Sequence, residues 1–136
     1  MSKFEKCPCA SKELYHKCCK LYHDGTPPED ALHLMRSRYA AYALGLADYI
    51  IDTTHSAHPE FTSDRKNWKE SILAFSKATK FDHLTIEEFV DGDENATVTF
   101  KAHLRQSGND ATFSEKSLFI KENDKWLYKS GEIIST

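Results

Sequence analysis

The chain has 136 residues, 40% of them hydrophobic, which is enough for one domain with a real core plus a small appended module. Its formal charge is −3, from 18 Lys plus Arg against 21 Asp plus Glu, and that balance argues against a generalist nucleic-acid binder. No stretch approaches the ~18–20 apolar residues of a membrane-crossing helix, and Met1–Lys6 lacks the apolar run of a secretory signal, so the sequence predicts a soluble, cytoplasmic protein. The charge is uneven: residues 1–24 sum to +2 and the remainder to −5.

All four cysteines fall between Cys7 and Cys19, with the spacing C-x-C-x8-C-C. Four soft ligands on so short a loop suit one tetrahedral Zn2+ held by Cys7, Cys9, Cys18 and Cys19 as thiolates. Two alternatives stand beside it. Disulfides would need either a strained vicinal Cys18–Cys19 bond or crossed pairs in an exported chain. A redox dithiol usually reads C-x-x-C beside a strand and a helix, a pattern absent here. With zinc bound, the thiolates offset the basic residues and the module ends near neutral. Four sulfurs also fill the metal's shell and leave no position for substrate.

Cys7-Pro8-Cys9, Ser11, Tyr15 and Cys18-Cys19 resemble the SEC-C motif, the zinc-binding segment at the C-terminus of the SecA translocation ATPase and at the ends of many small bacterial proteins. The ligands match one for one, while Ala10 and Lys12 stand where that motif usually has glycine. In SecA the motif is linked to binding of the chaperone SecB and the ribosome, so the resemblance implies a protein or ribosomal partner.

Leu21–Pro28 reads as a linker, because glycine and consecutive prolines do not sit inside a helix or a central strand. It separates a metal module, residues 1–24, from a second domain, residues 27–136. Thr26 followed by Glu29 has the capping-box pattern and predicts a helix from about residue 27, burying one stripe of Leu32, Met35, Tyr39, Tyr42 and Leu46. Arg36, Arg38 and His33 lie off or beside that stripe, where the arginines are either solvated or grip an anion. Gly45 marks a break. A short helix with Asp48 as its cap follows to about Thr53, and a third runs from Ser63 or Asp64 to about Lys77, with Trp68, Ile72 and Phe75 on its apolar face. Between them, His55 and His58 lie on a loop without a third metal-binding residue at helical spacing.

From Phe81 the apolar period changes to two, and turns at Asp91–Asn95, Ser107–Asp110 and Glu122–Lys125 divide the remainder into an antiparallel meander. Val98, Phe100, Ala102 and Leu104 form one face. In the third strand, Phe113, Glu115, Ser117 and Phe119 share a face. Either Glu115 and Ser117 point inward, where a buried carboxylate must be paired, hydrogen-bonded or protonated and marks a candidate site, or that face is exposed, or Glu115 pairs structurally with Arg36 or Arg38.

Leu34-Met35-Arg36-Ser37-Arg38-Tyr39, Ala47-Asp48-Tyr49, Thr53-Thr54-His55 and Trp126-Leu127-Tyr128 through Gly131, following the cysteine motif, resemble the YchJ family. The resemblance implies an α+β fold: a nuclear transport factor 2-like cone, with three N-terminal helices packed on a curved antiparallel sheet, preceded by the SEC-C module. The family's T-W-H-P pattern reads Thr53-Thr54-His55-Ser56 here. Its E-x-S-R-F reads Glu115-Lys116-Ser117-Leu118-Phe119.

The leading functional expectation is a non-enzymatic adaptor whose zinc module docks to a partner and whose cone binds a partner or small molecule through Arg36, Tyr39, His55, Glu115, Ser117 and Trp126. The rival is an isomerase- or dehydratase-type enzyme using His55 or Glu115 as general acid or base, assisted by Tyr39 and Tyr128. A third reading is nucleic-acid binding through Lys3, Lys6, Lys12, Lys17 and Lys20. A homodimer through the polar outer face of the sheet, with Thr97, Thr99 and Lys101, is compatible with the pattern.

Overall fold

The computed structural model describes residues 5–134, so Lys3 and the outermost positions of both predicted segments lie outside it. A 3-10 turn at Tyr15–Lys17 leads into α1 (Cys19–His23), then α2 (Ala31–Leu44), α3 (Ala47–Asp52) and α4 (Arg65–Ala78). The strands are β1 (Thr79–Val90), β2 (Asn95–Gln106), the short β3 (Asn109–Asp110), β4 (Phe113–Glu122) and β5 (Lys125–Ile133). They form one antiparallel sheet in the order β1-β2-β4-β5, with β3 paired to β2. Helices on one face of a curved antiparallel sheet make an α+β cone.

Register settles which face of β4 points inward. Glu115 lies opposite Phe100, Ser117 opposite Val98 and Phe119 opposite Ala96, so all three share the face of the buried β2 residues. Irregularities in β1, between Phe81 and His83 and between Ile86 and Glu88, bend that strand and help to curl the sheet around α2. A parallel bridge between Thr54 and Tyr128 ties the end of α3 to β5, with Tyr128 N–H donating to the Thr53 carbonyl at 2.9 Å.

Helix α2 is not the one-sided helix that its apolar spacing predicts. Ala31, Leu34, Met35, Ser37, Arg38, Tyr39, Ala40 and Ala41 are all buried, because the helix lies between the sheet on one side and the cysteine loop and α3 on the other. A large apolar side chain fully buried there stabilises by roughly 1.5–3 kcal/mol relative to exposure. α2 is therefore the central strut of the molecule.

Three boundaries differ from the sequence expectation. α2 starts at Ala31, capped by Asp30, whose carboxylate accepts the His33 N–H at 2.8 Å, while Thr26 stays exposed outside the helix. Asp48 is not a cap: it lies inside α3 and pairs with Arg65 and Lys69 at 3.1 and 3.3 Å. Leu21–His23, expected as linker, belongs to α1. The predicted start of α4 agrees, with Asp64 as cap. Asp30→Ala should destabilise the fold by about 1 kcal/mol, whereas Thr26→Ala should change it by less than about 0.5 kcal/mol. Chemical denaturation checks this, and the opposite ranking would restore the capping box at Thr26.

Candidate functional site

The cysteine loop folds back on itself through an antiparallel bridge between Lys6 and Leu14, with Cys7 N–H donating to the Glu13 carbonyl at 2.8 Å. The tight return brings the four Sγ atoms within 4.8 Å of one another, a group able to hold a metal ion. Cys9 and Cys18 approach to 3.6 Å, Cys18 and Cys19 to 3.9 Å, and the Ser11 hydroxyl lies 3.2 Å from Cys18 Sγ. Cys7, Cys9 and Cys19 are buried, at 4%, 0% and 1% exposure, so the group is closed to anything larger than an ion. Packed this closely, the thiols cannot ionise independently: contact with Cys18 holds Cys9 low and pushes Cys7 and Cys19 up. A bound cation removes that conflict by favouring thiolate at all four positions.

The two positions that depart from the SEC-C pattern, Ala10 and Lys12, adopt left-handed backbone with φ of 65° and 75°. The turn keeps a glycine-type conformation with side chains in place, which is strained for L-residues.

The cysteine module is clamped to α2 at Arg36, Ser37 and Ala40. Arg36 Nη1 donates to the Cys9 carbonyl at 2.8 Å. His23 Nε2–H donates to the Ser37 carbonyl at 2.8 Å, which leaves Nδ1 to accept from the Tyr15 hydroxyl at 2.7 Å. Burial lowers the His23 pKa and keeps this neutral tautomer in place. The Ser37 hydroxyl donates to the Leu34 carbonyl at 2.9 Å and accepts from Tyr49 at 2.6 Å, extending the clamp to α3. Fully buried Ala40 packs directly against the cysteines. Arg36, expected among the ligand-binding residues of the cone, instead serves the cysteine loop.

On the opposite side of α2, a cavity of about 690 Å³ opens between α2, α4 and the inner face of the sheet. Trp68, Phe75, Phe81, Phe100 and Phe113 give it aromatic walls. Glu115 stands inside, accepting from the Ser117 hydroxyl and, at 3.0 Å, from the Tyr128 hydroxyl, both on Oε2. Burial, followed by the Glu115 charge, pushes the Tyr128 pKa up, so its hydroxyl stays a donor. Arg38 stacks over the Tyr128 ring at 4.7 Å, and its Nη1 donates to the Ile50 carbonyl and to the Thr53 and Thr54 hydroxyls at 3.0, 2.7 and 3.2 Å. Tyr39 lines the wall with its ring, its hydroxyl committed to the His83 carbonyl at 2.9 Å.

Gly131 faces Ser117 across β4 and β5, and a methyl group there would come within 2.4 Å of Glu115 Oε2 and of the Tyr128 hydroxyl. Only a residue without a side chain lets the carboxylate and the phenol meet.

Two expected site residues lie elsewhere. His55 Nε2–H donates to Glu122 at 2.7 Å, and Nδ1 accepts from Ala57 N–H at 2.9 Å, so the ring faces the outer end of β4 and does not line the cavity. Trp126 is buried in the apolar core and not in the cavity wall. The histidine beside the cavity is His58, with its ring 5.1 Å from Tyr128; it lines a smaller recess of about 200 Å³ together with Arg38 and Glu115, and burial lowers its pKa. Sequence reasoning chose Arg36 over Arg38, although helical spacing carried the signal: Arg38 is three residues from Met35 and four from Tyr42, within the apolar stripe, and Arg36 is off it.

Ala10→Gly and Lys12→Gly should each stabilise the metal-loaded protein, by about 0.5–1 kcal/mol after the glycine entropy cost is subtracted. Thermal unfolding checks this, and a loss of stability would contradict the strain. Gly131→Ala should displace the Glu115 carboxylate from Tyr128 and destabilise by about 1–3 kcal/mol, the range for a disrupted buried polar contact. A tyrosine hydroxyl resonance unmoved by this substitution would contradict the close approach.

A family model described as "YchJ, middle NTF2-like domain" matches residues 30–131. The solution structure of a SEC-C motif containing protein from Rhodopseudomonas palustris is 32% identical, with a TM-score of 0.80, covering 95% of this chain and 98% of that one. The crystal structure of a SEC-C motif containing protein from Psychrobacter arcticus is 25% identical with a TM-score of 0.80, covering 98% of this chain and 85% of that one. An NTF-2 like protein of unknown function from Shewanella oneidensis, 18% identical with a TM-score of 0.53 over 75% of this chain and 93% of that one, shares the fold. With its cone matched by the family model and its cysteine loop by full-length SEC-C structures, the chain belongs to the YchJ family.

Proposed function

We propose that this chain is a non-catalytic binding protein of the cytoplasm, in which a structural zinc ion fixes the N-terminal module against α2 and the cone takes up a small, largely apolar molecule. The observation that carries the reading is the cavity of about 690 Å³, rich in aromatic side chains and polar both where Arg38, Glu115 and Tyr128 converge and at exposed Glu60, Thr62, Asn67 and Ser71. That volume and that division between apolar wall and a few placed polar groups are typical of small-molecule sites.

Zinc is the metal that best suits the cysteines. Tetrahedral zinc–thiolate bonds of about 2.3 Å place neighbouring sulfurs about 3.8 Å apart. The separations of 3.6 and 3.9 Å bracket that value. All four positions being sulfur, the ion organises the loop and offers no place for a reacting group.

Binding is favoured over catalysis because His55, one of the two candidate acid–base residues, is turned to Glu122 and does not line the cavity that holds Glu115. Glu115 itself is fixed in place by two hydroxyl donors on Oε2. Lys6, Lys12, Lys17 and Lys20 lie exposed around the cysteine loop, and on the reading proposed here they form the docking face for a protein or ribosomal partner. No helix among the described residues is long and apolar enough to cross a membrane.

Protein purified under reducing conditions should contain about one zinc per chain, and Cys18→Ser or a chelator should remove it and lower the melting temperature by on the order of 10 °C. Metal-free protein of unchanged stability would refute the structural role. For the cone, the apolar fluorophore anilinonaphthalene sulfonate should bind the zinc-loaded protein one to one, and the cavity-filling Ala102→Phe should abolish binding in a folded protein. Undiminished binding to that variant would place the probe elsewhere and contradict the reading.

A further inference from the structure

Arg38 and Glu115 put opposite charges in the cavity wall, beside the exposed carboxylate of Glu60, and neither Arg38 nor Glu115 has an ionic partner among the described residues. Arg38 is 7% exposed, yet its Nη1 meets only uncharged oxygens, and no carboxylate lies within ion-pair distance of its guanidinium. Glu115 has no cation within that distance, and both of its donors are neutral hydroxyls on Oε2, so Oε1 carries no protein donor. Tyr128 keeps the pair apart: the guanidinium packs over its ring face while the carboxylate takes its hydroxyl at the edge. Both charged groups border the main cavity and the adjoining recess, so a molecule in that space reaches both.

A buried cation and a half-buried anion one aromatic ring apart polarise the site strongly, and the exposed Glu60 adds a second carboxylate to its lining. A ligand carrying only one charge satisfies one group and is repelled by the other. A hydrocarbon satisfies neither. The complement is a molecule with an anionic and a cationic group a few bonds apart, and the aromatic walls beyond, including Phe75, Phe81 and Phe113, call for an apolar ring on the same molecule.

We propose that the cone binds a small zwitterion of the aromatic amino acid class. Its carboxylate sits on Arg38, which presents a planar fork suited to that group. Its ammonium donates to Glu115 Oε1, and its ring lies among the phenylalanines. This inference rests on the reading of the cone as a ligand-binding cavity and specifies what it takes.

Calorimetric titration of the full-length, zinc-loaded protein with phenylalanine, 3-phenylpropionate, phenethylamine and toluene tests it. Phenylalanine should bind at least about tenfold tighter than each of the other three, since each leaves a charged group unmatched. Glu115→Gln, which keeps the shape and removes the charge, should weaken phenylalanine about tenfold while changing 3-phenylpropionate by less than about threefold. If toluene or a singly charged analogue binds as tightly as phenylalanine, the zwitterion assignment is overturned and the cone remains a binding cavity. If none of the four binds, both the assignment and the cavity reading fall. Should Glu115→Gln not fold, the ranking of the four probes on the wild-type protein decides alone.

Discussion

One turn of α2 holds the molecule together because its successive side chains leave in opposite directions. The Arg36 side chain reaches the cysteine loop through the Cys9 carbonyl, and the Ser37 backbone carbonyl on the same side accepts from His23 of α1. Arg38 and Tyr39 reach into the cone, through the contacts with Tyr128 and α3 and through the His83 carbonyl. A helix repeats every 3.6 residues, so four consecutive positions cover its whole circumference. Anything that fixes one side of this turn fixes the other.

That geometry gives the metal module a function within the fold as well as outside it. The cysteine loop is short, contains strained left-handed residues at Ala10 and Lys12, and buries little apolar surface of its own. A cation at the four sulfurs would supply the cohesion that packing does not, as in other small metal modules. Through Arg36 and His23 the same ion would restrain the turn that places Arg38 over Tyr128. Tyr128 in turn depends on Thr53 and Thr54 for its position and on Gly131 for its approach to Glu115. The cavity's polar corner is thus assembled from α2, the end of α3, β4 and β5, and each element is tied to at least one other by backbone or buried hydrogen bonds.

Much of this was legible in the residues. The cysteine spacing pointed to a metal group, the change of period near residue 80 separated helices from sheet, and the placement of Glu115 and Ser117 on one face with Phe113 and Phe119 flagged the cavity. The structure resolves the choice left open there: the face is internal. Other features depend on tertiary neighbours that a periodicity cannot report. α2 is buried on nearly every side, so its single apolar stripe understates it. His55 and His58 lie on an irregular loop, where no periodicity tells which ring turns toward Tyr128 and which toward Glu122. Gly131 has no side chain to signal a contact, and only the pairing of β4 with β5 reveals it as the space that Glu115 and Tyr128 share.

The central claim is that the cysteine-bound metal and the cone are coupled through α2, and hydrogen–deuterium exchange with and without zinc tests it most directly. Removing the metal should speed exchange not only in the cysteine loop but also across residues 36–41 of α2 and at Tyr128, whose amide is held by Thr53. Faster exchange confined to residues 5–24, with α2 and β5 unchanged, would show that the module and the cone are energetically independent and would contradict the account.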